Sequence, residues 1–179
     1  MQNNLLIPVD IADFKSNVNI KFNNILTGFD NFLNFTINAQ NIADGEAKLI
    51  TLIEKIFKEN NNECYFDLYL NNLSKKDREN LLNLISNSSD KELLQKIIDL
   101  NHNTPYYKLK DKSLIPLLVR LNTHELFFVT FYFVKKPITI WGNYNLNFPC
   151  FFNNKNILEE YLKLINEFDF NIQNINSDK

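Results

Sequence analysis

The stretch that decides the fold is Leu114–Phe152, with the sequence LIPLLVRLNTHELFFVTFYFVKKPITIWGNYNLNFPCFF. Apolar residues, many of them aromatic, fill this stretch, and short polar breaks divide it into segments. Short segments rich in aromatic and β-branched residues are typical of β-strands. We therefore predict an antiparallel meander with strands over Leu114–Leu121, Glu125–Val134, Ile138–Trp141 and Tyr144–Phe148.

The second of these strands, Glu125–Val134, is apolar on both faces. A strand of this kind belongs in the middle of a sheet that is covered on both sides. Between the last two strands, Gly142-Asn143 is a typical two-residue hairpin turn. That turn would place Trp141 opposite Tyr144 as a cross-strand aromatic pair.

Two further strand signals precede the meander. Alternation of polar and apolar residues over Val18–Phe22 and Leu33–Ile37 predicts an opening hairpin, with Gly28–Asn31 as its turn. Residues Cys64–Leu70 predict another strand, on which Tyr65, Asp67 and Tyr69 share one face and Cys64, Phe66, Leu68 and Leu70 share the other.

Helical periodicity appears in four places. Apolar residues at helical spacing predict helices over Asp44–Glu59, from Ser74, from Ser89 and over Asn156–Phe168. Ser74, Ser89 and Asn156 each precede an acidic residue by three positions, which is the spacing of a capping box. The connection from residue 101 to 112 and the tail from about residue 170 show neither the alternation of a strand nor the apolar spacing of a helix. We therefore predict a polar loop and a loose tail.

Together these elements predict an α+β fold, in which an antiparallel sheet with an aromatic-rich C-terminal meander packs against about four helices. A length of 179 residues fits one domain spanning 1–179. A chain of this size buries enough surface to fold without disulfides or metals.

Charge and hydropathy narrow the function classes. The net charge of −2 argues against a nucleic-acid-binding protein, which usually carries a basic face. Tyr106–Lys112 alternates aromatic residues with lysines, a pattern that suits either single-stranded nucleic acid or the guarded edge of a sheet. We favour the sheet edge.

No apolar run reaches the ~20 residues of a membrane span, and no secretory leader is present, so we expect a cytoplasmic protein that does not contact a membrane. The excess of Asn indicates an AT-rich, bacterial or phage genome.

Motifs that would indicate catalysis or cofactor binding are missing. Three isolated glycines permit neither a phosphate-binding loop nor a dinucleotide fingerprint. Cys64, His102, His124 and Cys150 lack the spacing of a zinc site. Cys150 with His124 is the one nucleophile and base pair to consider, but the FPCFF setting favours a buried, packed thiol. We expect no metal, no cofactor and two reduced cysteines.

The function expected from these absences is a non-catalytic protein-binding module. We predict an inhibitor or immunity protein that neutralises a bacterial toxin by direct binding, as a monomer or homodimer. A structural or assembly component of a phage or secretion apparatus is one alternative. The other is an enzyme that places His102 or His124 beside an acid in a deep pocket.

Interface anchors are usually Tyr, Trp and Arg. We therefore predict partner contacts at Tyr65, Asp67 and Tyr69, with Asp67 as an exposed charge facing a basic toxin domain, and at Trp141 and Tyr144 around the turn. The alternative for Tyr65 and Tyr69 is that they lie under a helix, with their hydroxyl groups reaching water.

Overall fold

The computed structural model describes residues 5–178, which form an antiparallel sheet with helices on both faces. The α+β class predicted from the sequence is confirmed. The strands are β1 (Leu6–Val9), β2 (Leu33–Asn38), β3 (Cys64–Asp67), β4 (Tyr106–Leu109), β5 (Thr130–Phe133), β6 (Ile138–Trp141), β7 (Asn147–Phe152) and β8 (Asn171–Asn176). The helices are α1 (Ile11–Asn17), α2 (Ile25–Asn31), α3 (Ile42–Glu59), α4 (Lys75–Leu84), α5 (Ser88–Asp99), α6 (Ile115–Thr123) and α7 (Lys155–Asn166). Leu70–Asn72 and Lys112–Leu114 are single 3₁₀ turns.

The sheet has the strand order β1-β4-β3-β5-β6-β7-β2-β8. At its centre β5, β6 and β7 follow one another as an antiparallel meander, so the predicted meander is present in these three strands. Phe131 pairs with Ile140, and Ile140 pairs with Cys150, which gives the register. The two edges are β1 and β8.

The main core lies on one face of the sheet. Phe35, Phe66 and Phe131 project from it and pack against buried residues of the helices, including Leu52 of α3 and Tyr161 of α7. The amphipathic pattern of α3 drives this packing because its apolar stripe is buried against the sheet and α6.

The opposite face is covered by less of the chain. Phe14 of α1 packs on Tyr65, Tyr106 and Tyr132. Farther along the sheet the segment 18–24 crosses β6, where the Thr139 hydroxyl donates to the Ile20 carbonyl at 2.6 Å. Because α1 and this segment cover different strands, a cleft stays open between them.

The predicted opening hairpin is wrong. Val18–Phe22 forms no strand, and the predicted turn at Gly28–Asn31 lies inside α2, whose N-cap Asn24 accepts a hydrogen bond from the Thr27 amide. Gly28 serves packing instead, since a Cβ there would lie 2.6 Å from the Phe22 ring and 2.9 Å from the Phe151 ring. The strand predicted at Leu33 is present as β2, but its neighbours are β7 and β8.

The first strand predicted for the meander, Leu114–Leu121, is also wrong, because the chain forms helix α6 there. Pro116 lies in the first turn of this helix, a position that tolerates the missing amide hydrogen. The helix is buried on most of its surface, so its sequence is apolar on every side. A short apolar run of this kind fits a buried strand and a buried helix equally well.

Three connections also differ from their predictions. The predicted polar loop contains β4, which pairs with both β1 and β3, so the sheet-edge interpretation of Tyr106–Lys112 is wrong. After Trp141 the chain does not turn in two residues, because β7 begins only at Asn147. Trp141 and Tyr144 are therefore not a cross-strand pair. The predicted loose tail is wrong as well, since β8 pairs with β2.

Candidate functional site

The cleft between α1 and the segment 18–24 has a volume of about 860 Å³. Ligand sites in proteins commonly have volumes of about 300–1,000 Å³ and mainly apolar walls with a few polar groups. Aromatic side chains dominate the walls of this cleft, and Lys15, Lys21, Asp67 and several asparagines supply its polar groups.

The floor of the cleft is a row of residues across four neighbouring strands. Tyr106 of β4 pairs with Asp67 of β3, and Thr130 of β5 pairs with Trp141 of β6. The Thr130 amide joins the two pairs, because it donates to Asp67 Oδ1 at 2.7 Å. With strands about 4.8 Å apart, the backbones of Tyr106 and Trp141 are separated by roughly 14 Å. The floor is therefore wide enough to receive a side chain between its two outer rings.

Stacked aromatic pairs stand at the two ends of this row. The ring of Phe14 stacks on Tyr106 with centroids 3.9 Å apart, and the ring of Phe22 stacks on Trp141 at 5.2 Å. Tyr69 meets Tyr106 edge-on at 6.2 Å. Because each ring is held by a neighbour, little side-chain entropy remains to be lost when a ligand enters.

Asp67 is the acid at the bottom of the cleft. Only 5% of its surface is exposed, and its carboxylate accepts hydrogen bonds from the Thr130 amide and from the Tyr132 hydroxyl at 3.0 Å. Burial raises the pKa of Asp67 from its ordinary 3.8 to about 6, and the two hydrogen bonds oppose that rise. No ion pair joins Asp67 to a lysine, arginine or histidine in the described part of the chain.

Two lysines contribute positive charge to the lining of the cleft. Lys15 is exposed in the last turn of α1, and Lys21 donates from its ammonium group to the Val18 carbonyl. Asn23, Asn24 and Asn143 add neutral polar groups to the lining. The cleft thus combines aromatic walls, a buried acid at its floor and two basic side chains.

The structure brings four of the five predicted contact residues, Asp67, Tyr69, Trp141 and Tyr144, into the lining of this one cleft. Tyr65 is not among them, because it is buried beneath Phe14 of α1, as the helix-covered alternative proposed. The expectation that Asp67 is an exposed charge is wrong. Any contact of Asp67 with a partner would therefore involve a buried carboxylate.

The sequence analysis did not select the other aromatic residues of the cleft lining, which are Phe14, Phe22, Tyr106, Phe128 and Tyr132. One local signal was present, because Asp10 precedes Asp13 by three residues and caps α1 through a 2.8 Å hydrogen bond from the Asp13 amide. That signal would have placed Phe14 on a helix. No local signal indicates that this helix lies across β3, β4 and β5.

The histidines lie outside the cleft. His124 is exposed and its Nε2 is 2.9 Å from Glu46, which also approaches Arg120 at 3.7 Å. Arg120 in turn forms a bidentate ion pair with the buried Asp90. This network links α3, α5 and α6 beside a hollow of only about 120 Å³. It holds these helices together. His124 also lines a second hollow of about 560 Å³ together with Glu125.

The two cysteines are buried side chains. Cys64 and Cys150 are both fully buried free thiols, and burial raises the pKa of each well above its ordinary value. A thiol held in this way is a poor nucleophile. Within residues 5–178 no three His, Cys, Asp or Glu side chains are grouped so that they would hold a metal ion.

None of the helices in the described range has the length and apolar character needed to cross a bilayer. Comparisons with protein-family models, with curated proteins and with solved structures find no match to this chain. The cleft and its surroundings are therefore the features that bear on function.

Proposed function

We propose that this protein is a non-catalytic binding module that receives a projecting segment of another protein in the aromatic cleft. The observation that carries this proposal is the convergence of Tyr69, Tyr106, Trp141 and Tyr144 on one concave surface. Tyrosine and tryptophan held in concave, well-packed surroundings contribute most of the energy of many protein interfaces.

The surroundings of the cleft favour a protein over a small molecule as its ligand. Large apolar side chains are exposed on elements that border it, namely Ile11 on α1, Leu26 on α2, Tyr69 after β3 and Tyr144 after β6. A small molecule held inside the cleft would leave Ile11 and Leu26, which lie outside the cleft lining, in water. A protein segment would cover some of them, as expected for an exposed apolar patch that marks an interaction site.

Within this proposal, the specific role is inhibition of a bacterial toxin in the cytoplasm. An inhibitor needs only a rigid scaffold and one complementary surface, and the stacked rings supply rigidity. Two free, buried thiols fit a reducing compartment. The enzyme alternative has one supporting feature, the raised pKa of Asp67. No histidine, cysteine or serine accompanies Asp67 in the part of the cleft lining that the structure describes.

The test begins with capture of the tagged protein from the cells that naturally produce it, followed by identification of any stoichiometric partner by mass spectrometry. The purified partner is then titrated with Tyr69→Ala and Tyr144→Ala variants. Loss of an interface hot spot costs about 2 kcal/mol or more, or roughly 30-fold in affinity. We expect a loss of this size for at least one variant.

The matched control is Leu84→Ala, which truncates a side chain of α4 that is 65% exposed and lies outside the cleft lining. We expect this variant to bind the partner with unchanged affinity. If both cleft variants bind as tightly as the control, the cleft is not the interface. For the inhibitor role, co-expression must also relieve the toxicity of the partner.

A further inference from the structure

We infer that the cleft selects a basic side chain, lysine or arginine, of the partner protein, with Asp67 as the counter-ion of that side chain. This inference rests on the proposed function, because it names the group that the partner inserts. Three features of the cleft support it: an acid with no cationic partner among residues 5–178, aromatic rings at both ends of the row that contains this acid, and the distribution of the other charges.

Asp67 is a buried carboxylate that accepts hydrogen bonds but has no positively charged partner among residues 5–178. A buried charge is unfavourable unless another charge compensates it. The Thr130 amide donates to one carboxylate oxygen and the Tyr132 hydroxyl to the other, and the Thr130 side chain also forms a hydrogen bond that lowers the pKa of Asp67. These donors are all neutral. Because Asp67 lines the cleft, an inserted cation would supply the missing positive charge.

The aromatic rings at the two ends of the row that contains Asp67 also suit a cation. Tyr106 and Trp141 occupy the ends of the cross-strand row in which Asp67 lies, and both line the cleft. The face of an aromatic ring attracts ammonium and guanidinium groups, most strongly where water is excluded. A guanidinium group also stacks flat on such rings. A neutral apolar side chain would bury Asp67 further without compensating its charge.

Lys15 and Lys21 are the other charged groups of the cleft lining. Lys15 is exposed, so water and salt screen its charge over about 10 Å, whereas the attraction to Asp67 acts at a buried carboxylate, where screening is weaker. These lysines would repel a partner surface that is basic throughout. The structure therefore favours a single basic side chain with neutral or acidic neighbours over the uniformly basic toxin surface expected from the sequence.

The chain contains one tryptophan, Trp141, which lines the cleft, so its fluorescence and its indole N–H resonance report on occupancy. The probes are N-butylguanidinium and the neutral N-butylurea, which has nearly the same shape. We expect the wild type to bind the guanidinium probe saturably and at least about tenfold more tightly than the urea. Equal binding of both probes, or no saturable response to guanidinium, would overturn the inference.

Asp67→Asn provides the matched variant, because it keeps the size of the side chain and an oxygen that accepts from the Thr130 amide. Its fold is checked by circular dichroism and urea denaturation. We expect the preference for guanidinium to disappear in this variant and to persist in Leu84→Ala. A preference that survives Asp67→Asn would show that Asp67 is not the counter-ion.

Experiments with the partner separate this inference from the proposed function. If Tyr144→Ala weakens partner binding and Asp67→Asn does not, the cleft is the interface but the basic side chain is excluded. If Tyr69→Ala, Tyr144→Ala and Asp67→Asn all leave partner binding unchanged, the proposed function fails. If both changes matter, replacing the inserted lysine or arginine of the partner by methionine must reproduce the effect of Asp67→Asn, and no loss on that replacement would overturn the inference.

Discussion

Replacing Asp67 by asparagine should change how the stability of the protein depends on pH. The pKa of this carboxyl is raised from 3.8 to about 6 by burial, so the folded state binds a proton that the unfolded state has released. A carboxyl group whose pKa is higher in the folded state stabilises the protein progressively as the pH falls through the folded-state pKa toward the unfolded-state pKa. The ionised form consequently destabilises the folded state above about pH 6.

The size of the effect follows from the two pKa values. At high pH the penalty for ionised Asp67 amounts to about 3 kcal/mol, because each pKa unit corresponds to about 1.4 kcal/mol. Between about pH 7 and pH 5 the linkage relation predicts that the wild type gains about 1 kcal/mol in unfolding free energy from this group. Asp67→Asn carries no titrating group at this position and loses that gain.

Urea denaturation of both proteins at several pH values measures this difference directly. Subtracting the variant curve from the wild-type curve cancels the other titrating groups, including Glu63, whose pKa is lowered by Lys108 and Lys135 and which acts at lower pH. We expect the difference to change by about 1 kcal/mol across the window. Parallel curves would refute the reasoning and show that Asp67 titrates near its ordinary pKa.

Three further predictions concern stability. Phe131→Ala removes a ring from the main core and should cost about 3–5 kcal/mol in urea unfolding, whereas a wild-type midpoint would show that the meander is not the core. Gly142→Ala should cost about 1–3 kcal/mol, because its Cβ would lie 2.0 Å from Asn122 Oδ1, which holds the Val129 amide; an unchanged melting temperature would contradict this packing. Glu63→Gln breaks the ion pairs of a carboxylate with a lowered pKa, so it should cost about 1 kcal/mol at neutral pH and progressively less as the pH falls below about 4.5; a cost independent of pH would exclude the electrostatic cause.

Local patterns predicted the elements whose stabilising interactions lie close in sequence. Helix α3 has its apolar stripe at helical spacing, and Ser74 caps α4 by accepting from the Asp77 amide as expected. Strand β6 has the predicted bounds, Ile138–Trp141. The caps of α5 and α7 are instead Asn87 and Asn154, within two residues of the predicted positions.

The failures occurred where the surroundings outweigh the local pattern. Leu114–Leu121 is apolar on all sides, so only the packing of α6 between its neighbours distinguishes helix from strand. Asn171–Asn176 has few apolar residues and would not form a strand alone. It pairs there because β2 offers a free edge.

The sequence by itself determined the α+β class, the meander and the types of residue suited to an interface, since periodicity and residue chemistry are local properties. Only the tertiary structure decided that Tyr106, Asp67, Thr130 and Trp141 form one row, because strand pairing joins residues far apart in the chain. It also decided that Phe14 covers Tyr65 and leaves Asp67 at the floor of a cleft. Strand order and helix placement depend on burial summed over the whole molecule, and no short stretch of sequence contains that information.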